Sequence, residues 1–456
     1  MSALILISVL GVLVLYMGLF GNKRALAPVA ILGLLATLGL FITGWNIELP
    51  MFSTMVRFDE FSTWFNGGMI VITILIFLFG IDYYDRMKEH VAEHYTLMLF
   101  SLVGAFLLTS FNNLLVLFLG IEILSIPLYV LAGGKRKSRR SGEAAFKYFL
   151  LGSFASGFFL MGIALLYGSA ASFDLATVRA YAAGLDTAPD MLFILGLFFT
   201  AIGLSFKIAA APFHFWSPDV YEGAPTLVTS FMATVVKMAA FAAFFRFLQM
   251  TAMPTSLGRA LLVMTIATLL IGNIVALRQS QFKRLMAYSS IAHSGFLLLA
   301  LLSESPLTGR VLFYYTFTYA LATVGLFIVL TLAKRSANGD ENIRIFRGLF
   351  RARPWLAIVT MVLLLSLAGI PLTAGFIAKY QVFLLAIGGG FIKTTLFAVV
   401  MALVGIYYYV LVIREAFTPA EESAPMALVV NPLNWLVLSL CGIAVVVFGV
   451  LPGLLG

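Results

Sequence analysis

Residues 200–226 read TAIGLSFKIAAAPFHFWSPDVYEGAPT. An apolar run carries Lys207, meets Pro212 five residues later, passes His214 and leaves through a turn-rich exit. A lysine at the centre of a membrane helix costs about 2.5–3.5 kcal/mol to insert. A proline inside a span removes a helix hydrogen bond and bends or breaks the helix. Backbone freed at that depth must be buried in protein or line a wet cavity. The stretch therefore reads as a broken transmembrane helix with a titratable amine at the break. The plainer alternative is a long helix whose lysine snorkels to an interface.

The surroundings set the solvent. The chain has 456 residues, 62% hydrophobic and 11% charged, against about 25% charged in a soluble domain. Apolar runs of about 20 residues recur along it, the mark of a polytopic membrane protein. The net charge of +9 does not indicate nucleic acid, because the basic residues sit in short loops between spans. A lone cysteine, Cys441, excludes a disulfide and a cysteine-rich metal or iron–sulfur site on this chain. The first apolar run lacks a basic leader and reads as a span, not a removed signal.

Fourteen spans are expected, at about 3–20, 27–45, 61–81, 94–110, 112–132, 143–169, 190–215, 226–248, 257–277, 283–302, 307–333, 355–387, 392–413 and 431–455. With the N-terminus outside, 19 basic residues fall in cytoplasmic loops, including Arg86, Lys88, Lys135, Arg140, Lys283 and Lys334. Six fall outside: Arg57, Arg179, Arg246, Arg259, Arg310 and Lys393. The bias places both termini outside. Lys147, Lys207, Lys237 and Lys379 belong to no loop.

Two spans are overlong. As continuous helices, 190–215 and 355–387 would measure about 39 and 50 Å against an apolar core of about 30 Å. The second holds LAGIPLTAGFIAKY, with Pro371 and Lys379. These are spans seven and twelve, five apart, and a unit of five spans copied in tandem inserts upside down. Paired broken helices in inverted repeats are a transporter architecture. The expected fold class is thus an all-α polytopic membrane protein of about 14 helices in one domain. Two inverted five-helix repeats (about 94–248 and 257–413), each with a broken helix, are flanked by helices at about 1–90 and 431–455.

Further ionisable residues lie at similar depth: Glu122 in span five, Lys237 in span eight, and His293 in span ten, the slot expected to match Glu122 in the other repeat. Lys147 is also the natural reading of an interface lysine, and His293 of a core histidine. His214 lies past the break, toward the cytoplasm. At about 6 Å and an effective dielectric near 20, a Lys–Glu pair interacts by roughly 3 kcal/mol, enough for one charge to flip its neighbour's protonation. Ser125, Ser153, Ser156, Thr229, Ser289, Ser290 and Thr373 read either as supports for connecting waters or as helix-packing residues. There is no P-loop and no GxGxxG opening a βαβ unit, so the drive must be an ion gradient or a partner protein.

FKIAAAPFHFWSPDVYEGAPT, EAAFKYFLLGSFASGFFLMG, KRLMAYSSIAHSGFLLL and LAGIPLTAGFIAKY together resemble the N-type antiporter-like membrane subunits of bacterial respiratory complex I, over roughly residues 50–420. The resemblance implies fourteen spans with two inverted repeats and a role in proton translocation. It implies a coupling pair in Glu122 and Lys207, a central relay in Lys237 and a terminal group in Lys379. Lys147 and His293 match auxiliary relay positions. NADH, FMN, iron–sulfur clusters and quinone would belong to partner subunits, and other membrane subunits of the complex and the lipid bilayer would be the contacts. The implied location is the bacterial inner membrane. A multi-subunit cation/proton antiporter and a membrane-bound hydrogenase share much of the pattern. Sodium coordination wants clustered oxygens, whereas this row is mostly amines.

Overall fold

A computed structural model of the chain describes residues 1–21, 23–45, 52, 54–84, 91–184, 190–250, 254–336, 339–419 and 428–455. Arg86 and Lys88 therefore lie outside the described residues. In chain order the helices are α1 (Ser2–Leu19), α2 (Lys23–Thr43), α3 (Glu60–Tyr84), α4 (Val91–Ser110), α5 (Leu114–Ala132), α6 (Arg139–Ala170), α7 (Leu175–Ala183), α8 (Met191–Lys207), α9 (Trp216–Gly223) and α10 (Thr226–Ala233). They continue as α11 (Val235–Met250), α12 (Thr255–Ala276), α13 (Phe282–Leu301), α14 (Thr308–Ser336), α15 (Leu349–Ala352), α16 (Pro354–Ala368), α17 (Ala374–Gly388), α18 (Ile392–Phe417) and α19 (Pro432–Val450). Among the described residues twelve crossings, α10–α11 counted as one, are long and apolar enough to span a membrane. The shorter apolar helices α8, α16 and α17 complete the set.

Packing sorts these helices into a wrapped centre and a rim. α10–α11 and α14 are buried along their apolar length, and α13 nearly so. α1, α2, α6, α12, α18 and α19 show broad apolar faces outward, with Phe146, Phe154 and Leu396 among the large exposed side chains. Glycines let the rim close on its neighbours. A β-carbon on Gly104 of α4 would fall 2.3 Å from the backbone nitrogen of Leu124 in α5, and one on Gly272 of α12 would fall 2.4 Å from that of Ala292 in α13. Small residues at such crossings are how membrane helices approach without a hydrophobic drive between them.

The helix interruptions differ in detail from the sequence expectation. α8 stops at Lys207, five residues before Pro212. The chain turns out through Ile208 and Ala209, whose φ is +55°. α16 stops at Ala368, and Gly369 takes a left-handed cap at φ +81° before Pro371. A third interruption was not expected. Thr234, at φ −115° and ψ −80°, separates α10 from α11 three residues before Lys237. Its hydroxyl donates to the Ser230 carbonyl at 2.7 Å, and its amide reaches only to Phe231, at 3.3 Å. A hydroxyl bonded back to the preceding turn competes with the helix ladder in this way.

Candidate functional site: a buried row of amines, hydroxyls and histidine

The first break delivers Lys207 inward. Its amine donates to Ser125 Oγ on α5 at 2.7 Å and to Tyr148 OH on α6 at 3.2 Å, and it lies 5.4 Å from the Tyr148 ring centre. Side chains from elsewhere satisfy the freed backbone. Trp216 Nε1 donates to the Phe206 carbonyl at 2.9 Å. Ser294 Oγ on α13 donates to the Ile208 carbonyl at 2.7 Å. The Ala211 amide donates to Thr268 Oγ1 on α12 at 2.9 Å. Buried backbone groups of this kind are nearly always paired, so the opened helix end is a built feature.

Ser294 also ties the break to Lys237. The Lys237 amine donates to Ser294 Oγ at 2.9 Å, and to the hydroxyl and the carbonyl of Ser290, each at 2.5 Å. Lys237 is only 4% exposed and sits 5.6 Å from the Tyr319 ring centre. The same ring lies 4.7 Å from His293. His293 Nδ1 is 2.7 Å from Tyr315 OH, and Nε2 is 3.2 Å from Tyr409 OH. Tyr409 is in turn 2.5 Å from Ser289 Oγ.

Lys379 occupies the second break. It sits on α17 but reaches back, donating to the carbonyls of Leu367 and Ala368 at 3.0 and 2.8 Å. A cation there meets the negative end of α16. Phe296 stands between it and His293, 5.1 Å from the Lys379 amine and 6.3 Å from the imidazole. That step of the row is an aromatic ring, with no hydrogen bond across it.

Glu122 is half-buried, and its carboxylate accepts from Ser156 Oγ on α6 at 2.5 Å. Among the described residues no direct ion pair joins it to Lys207. A small cavity of about 10 Å³ is lined by Lys207, Ser125 and the Ser156 that bonds Glu122, about the space one water needs. Lys147 lies apart from the buried row. Its side chain is 40% exposed and pairs with Glu143 and Asp219, each at 2.7 Å. His214 is buried, with Nδ1 finding no partner among the described residues. Pro212 and Pro371 are exposed within their breaks. Of the hydroxyls singled out from sequence, Ser125, Ser156, Ser289 and Ser290 join the row. Ser153 faces outward, while Thr229 and Thr373 bond to nearby carbonyls.

Several members were not legible in sequence. Ser294, Tyr148, Tyr315, Tyr319 and Tyr409 look like ordinary span residues. Lys283, counted above as a loop residue, is 1% exposed; its amine donates to the Ala224 carbonyl at 2.8 Å and pairs with Glu341 at 3.2 Å. Lys334 pairs with the same carboxylate. The Glu341 carboxyl is pushed up by burial, but Lys283 and Lys334 outweigh this and hold its pKa below the usual carboxylate value. Among the described residues no group of three or more His, Cys, Asp or Glu gathers as a metal site.

An all-helical membrane bundle with two lysine-bearing helix breaks and a buried row of titratable groups between them is the frame of an ion-translocating subunit. The chain belongs to the NADH:quinone oxidoreductase/Mrp antiporter transmembrane family, whose profile matches residues 111–405. It is 39% identical to NADH-quinone oxidoreductase subunit N of Cytophaga hutchinsonii, covering 100% of this chain and 98% of that protein. It is 38% identical to the subunit N of Flavobacterium johnsoniae, covering 92% and 93%. A chain in the structure of respiratory complex I from Thermus thermophilus with bound aureothin superposes with a TM-score of 0.84 at 34% identity, covering 99% of this chain and 98% of that one. A chain of an archaeal membrane-bound sulfane sulfur reductase shares the fold, with a TM-score of 0.88 at 23% identity over 99% and 94%.

Proposed function

We propose that the chain is a proton-translocating membrane-arm subunit of an NADH:quinone oxidoreductase, driven by electron transfer in partner subunits. NADH, FMN, iron–sulfur clusters and quinone are carried by those partners, and the neighbours in the bilayer are other antiporter-like subunits. The observation that carries this reading is the buried row itself: Lys207 bonded to Ser125 and Tyr148, Lys237 bonded to Ser290 and Ser294, and Tyr319 and His293 beyond. Hydroxyls and imidazole both donate and accept protons, and amines change charge when they do. The oxygens of Ser290, Ser294 and Ile208 are engaged by the Lys237 amine and by one another, which favours a proton over a bare sodium ion.

Glu122 and Lys207 act as the pair that senses the neighbouring subunit, coupled through Ser125, Ser156 and the small cavity. Lys237 is the central relay and Lys379 the terminal group. Lys147 and His293 are auxiliary relays, His214 an entry or exit group, with Pro212 and Pro371 in the breaks. Both termini lie on the outer side of the bacterial inner membrane. In support, Lys135, Arg140, Lys283 and Lys334 line one cavity at the end assigned to the cytoplasm, the face where basic residues accumulate.

The two five-helix repeats receive support from a common spacing. Asn113 pairs with Asp174, and Gln281 with Asn342, in isolated antiparallel bridges. Asn113 and Gln281 are 168 residues apart, as are Asp174 and Asn342, and as are Gly104 and Gly272 at the two glycine crossings. In this register Ser290 takes the place of Glu122, and His293 that of Ser125.

Lys237→Met in the assembled complex tests the reading. NADH-driven proton uptake into vesicles should fall at least tenfold while the complex still assembles. Intact pumping in that variant would remove Lys237 from the path.

A further inference from the structure

Charge counting leaves only six basic residues on the outer side, dispersed along the sequence at Arg57, Arg179, Arg246, Arg259, Arg310 and Lys393. The fold gathers four of them. Arg57, Arg179, Arg246 and Arg310 line one cavity of about 410 Å³ at the outer ends of α3, α7, α11 and α14. Convergence of cations on the face where they are scarce calls for something anionic between them.

The four arginines are not alike. Arg246 is 4% exposed; its Nη2 donates to both oxygens of Asp59, at 2.7 and 2.8 Å, and its guanidinium stacks 5.5 Å from the Phe61 ring centre. Burial opposes ionisation of Asp59, but Arg246 and Ser62 hold its pKa below the usual value. Those two charges cancel. Arg246 Nε still has no acceptor among the described residues. Arg57, Arg179 and Arg310 are exposed, and among the described residues no carboxylate pairs with them. Among the described residues Glu60 alone opposes them on the cavity wall, which leaves an excess of about two positive charges there.

The walls say what kind of anion fits. Phe61, Trp64 and Phe313 line the same space, and Trp64 is 47% exposed. An apolar wall below a ring of guanidiniums, at the level where membrane helices end, matches an amphiphile. Guanidinium suits phosphate oxygens because its planar fork donates twice. The volume lies in the range of pockets that hold small organic ligands, larger than a simple anion requires.

We propose that this cavity binds the phosphate ester of an anionic phospholipid from the outer leaflet. The phosphate sits among Arg57, Arg179 and Arg310, with Arg246 Nε at its base, and the glycerol and first acyl carbons lie along Phe61, Trp64 and Phe313. The assignment to the outer leaflet rests on the orientation given above; the chemistry of the site does not.

The intact complex, stripped of lipid in detergent and reconstituted in phosphatidylcholine nanodiscs containing brominated phosphatidylglycerol, tests the proposal. Cryo-EM should show brominated-lipid density running from this cavity, and mass spectrometry should find phosphatidylglycerol retained after re-extraction. Arg57→Gln with Arg310→Gln should weaken retention roughly tenfold or more, whereas Glu60→Gln should strengthen it. Inorganic phosphate should neither fill the cavity nor displace the lipid. Equal retention by wild type and the double variant, or wild-type density no stronger with phosphatidylglycerol than with phosphatidylcholine alone, would overturn the proposal. Displacement by inorganic phosphate would reassign the site to a free anion. The Lys237→Met complex should hold the lipid as the wild type does, so this proposal and the proton relay fail separately.

Discussion

At the first break Lys207 is the last residue of its half-helix, and its amine leaves sideways to Ser125 and Tyr148. At the second, Lys379 is the sixth residue of the following half-helix, and its amine turns back onto the carbonyls of Leu367 and Ala368. The difference lies in who satisfies the opened backbone. Around Lys207, Trp216, Ser294 and Thr268 do so, which leaves the amine among hydroxyls that can return a proton. Around Lys379 the amine itself closes the helix end, so its charge also holds the local structure. One lysine is placed to exchange protons; the other joins its protonation to the shape of the break.

The largest effect that separates the two comes from exchanging cations. Lys379→Arg should assemble normally, because a guanidinium still donates to two carbonyls and stays charged at a helix C-terminus, yet lose pumping, because it does not release its proton. Lys207→Arg should lose at least tenfold in the yield of assembled complex as well, because a planar fork does not fit between Ser125 and Tyr148. The yield of assembled complex, read beside vesicle pumping, decides between these outcomes. Similar losses of yield at both sites would erase the distinction.

Glycine requirements sharpen the contrast. A β-carbon on Gly375 would lie 1.8 Å from the Ser366 carbonyl oxygen, so Gly375→Ala should displace α17 and sharply reduce the yield of assembled complex. Gly369→Ala strains a left-handed cap, which costs about 1 kcal/mol, and also brings a β-carbon within 2.8 Å of Lys379 Cδ, so thermal stability should drop and the amine should shift from its two carbonyls. The first break turns on Ala209 and makes no such demand. There the sensitive residue is Ser294. Ser294→Ala leaves the buried Ile208 carbonyl without its donor and should cost about 1–3 kcal/mol, measured as faster hydrogen exchange near residues 205–211.

The smallest effect lies at the cytoplasmic cluster. Glu341 is held ionised by Lys283 and Lys334, with its pKa lowered despite burial. A depressed carboxylate supports the fold above its unfolded pKa and loses that contribution as pH falls through the folded value. Wild type should therefore exceed Glu341→Gln in thermal stability near neutral pH, and the difference should shrink as pH drops toward about 4. A difference independent of pH would assign Glu341 to packing alone.

Composition and run length were enough to determine the membrane class, the approximate limits of the crossings, and the two places where proline and lysine share an overlong span. Those properties are local, since insertion of a charge or a proline is penalised wherever the chain goes. The interior members of the row were not local. Ser294 acquires its role because α13 passes Ile208 on one side and Lys237 on the other. Tyr319 acquires its role because α14 brings one ring against both Lys237 and His293. Lys283 reads as a loop cation until the chain between α14 and α15 folds Glu341 over it. Residue chemistry alone determined which groups could carry a proton. Tertiary packing decided which of them touch, because hydrogen bonds reach only about 3 Å and these partners come from helices far apart in the chain.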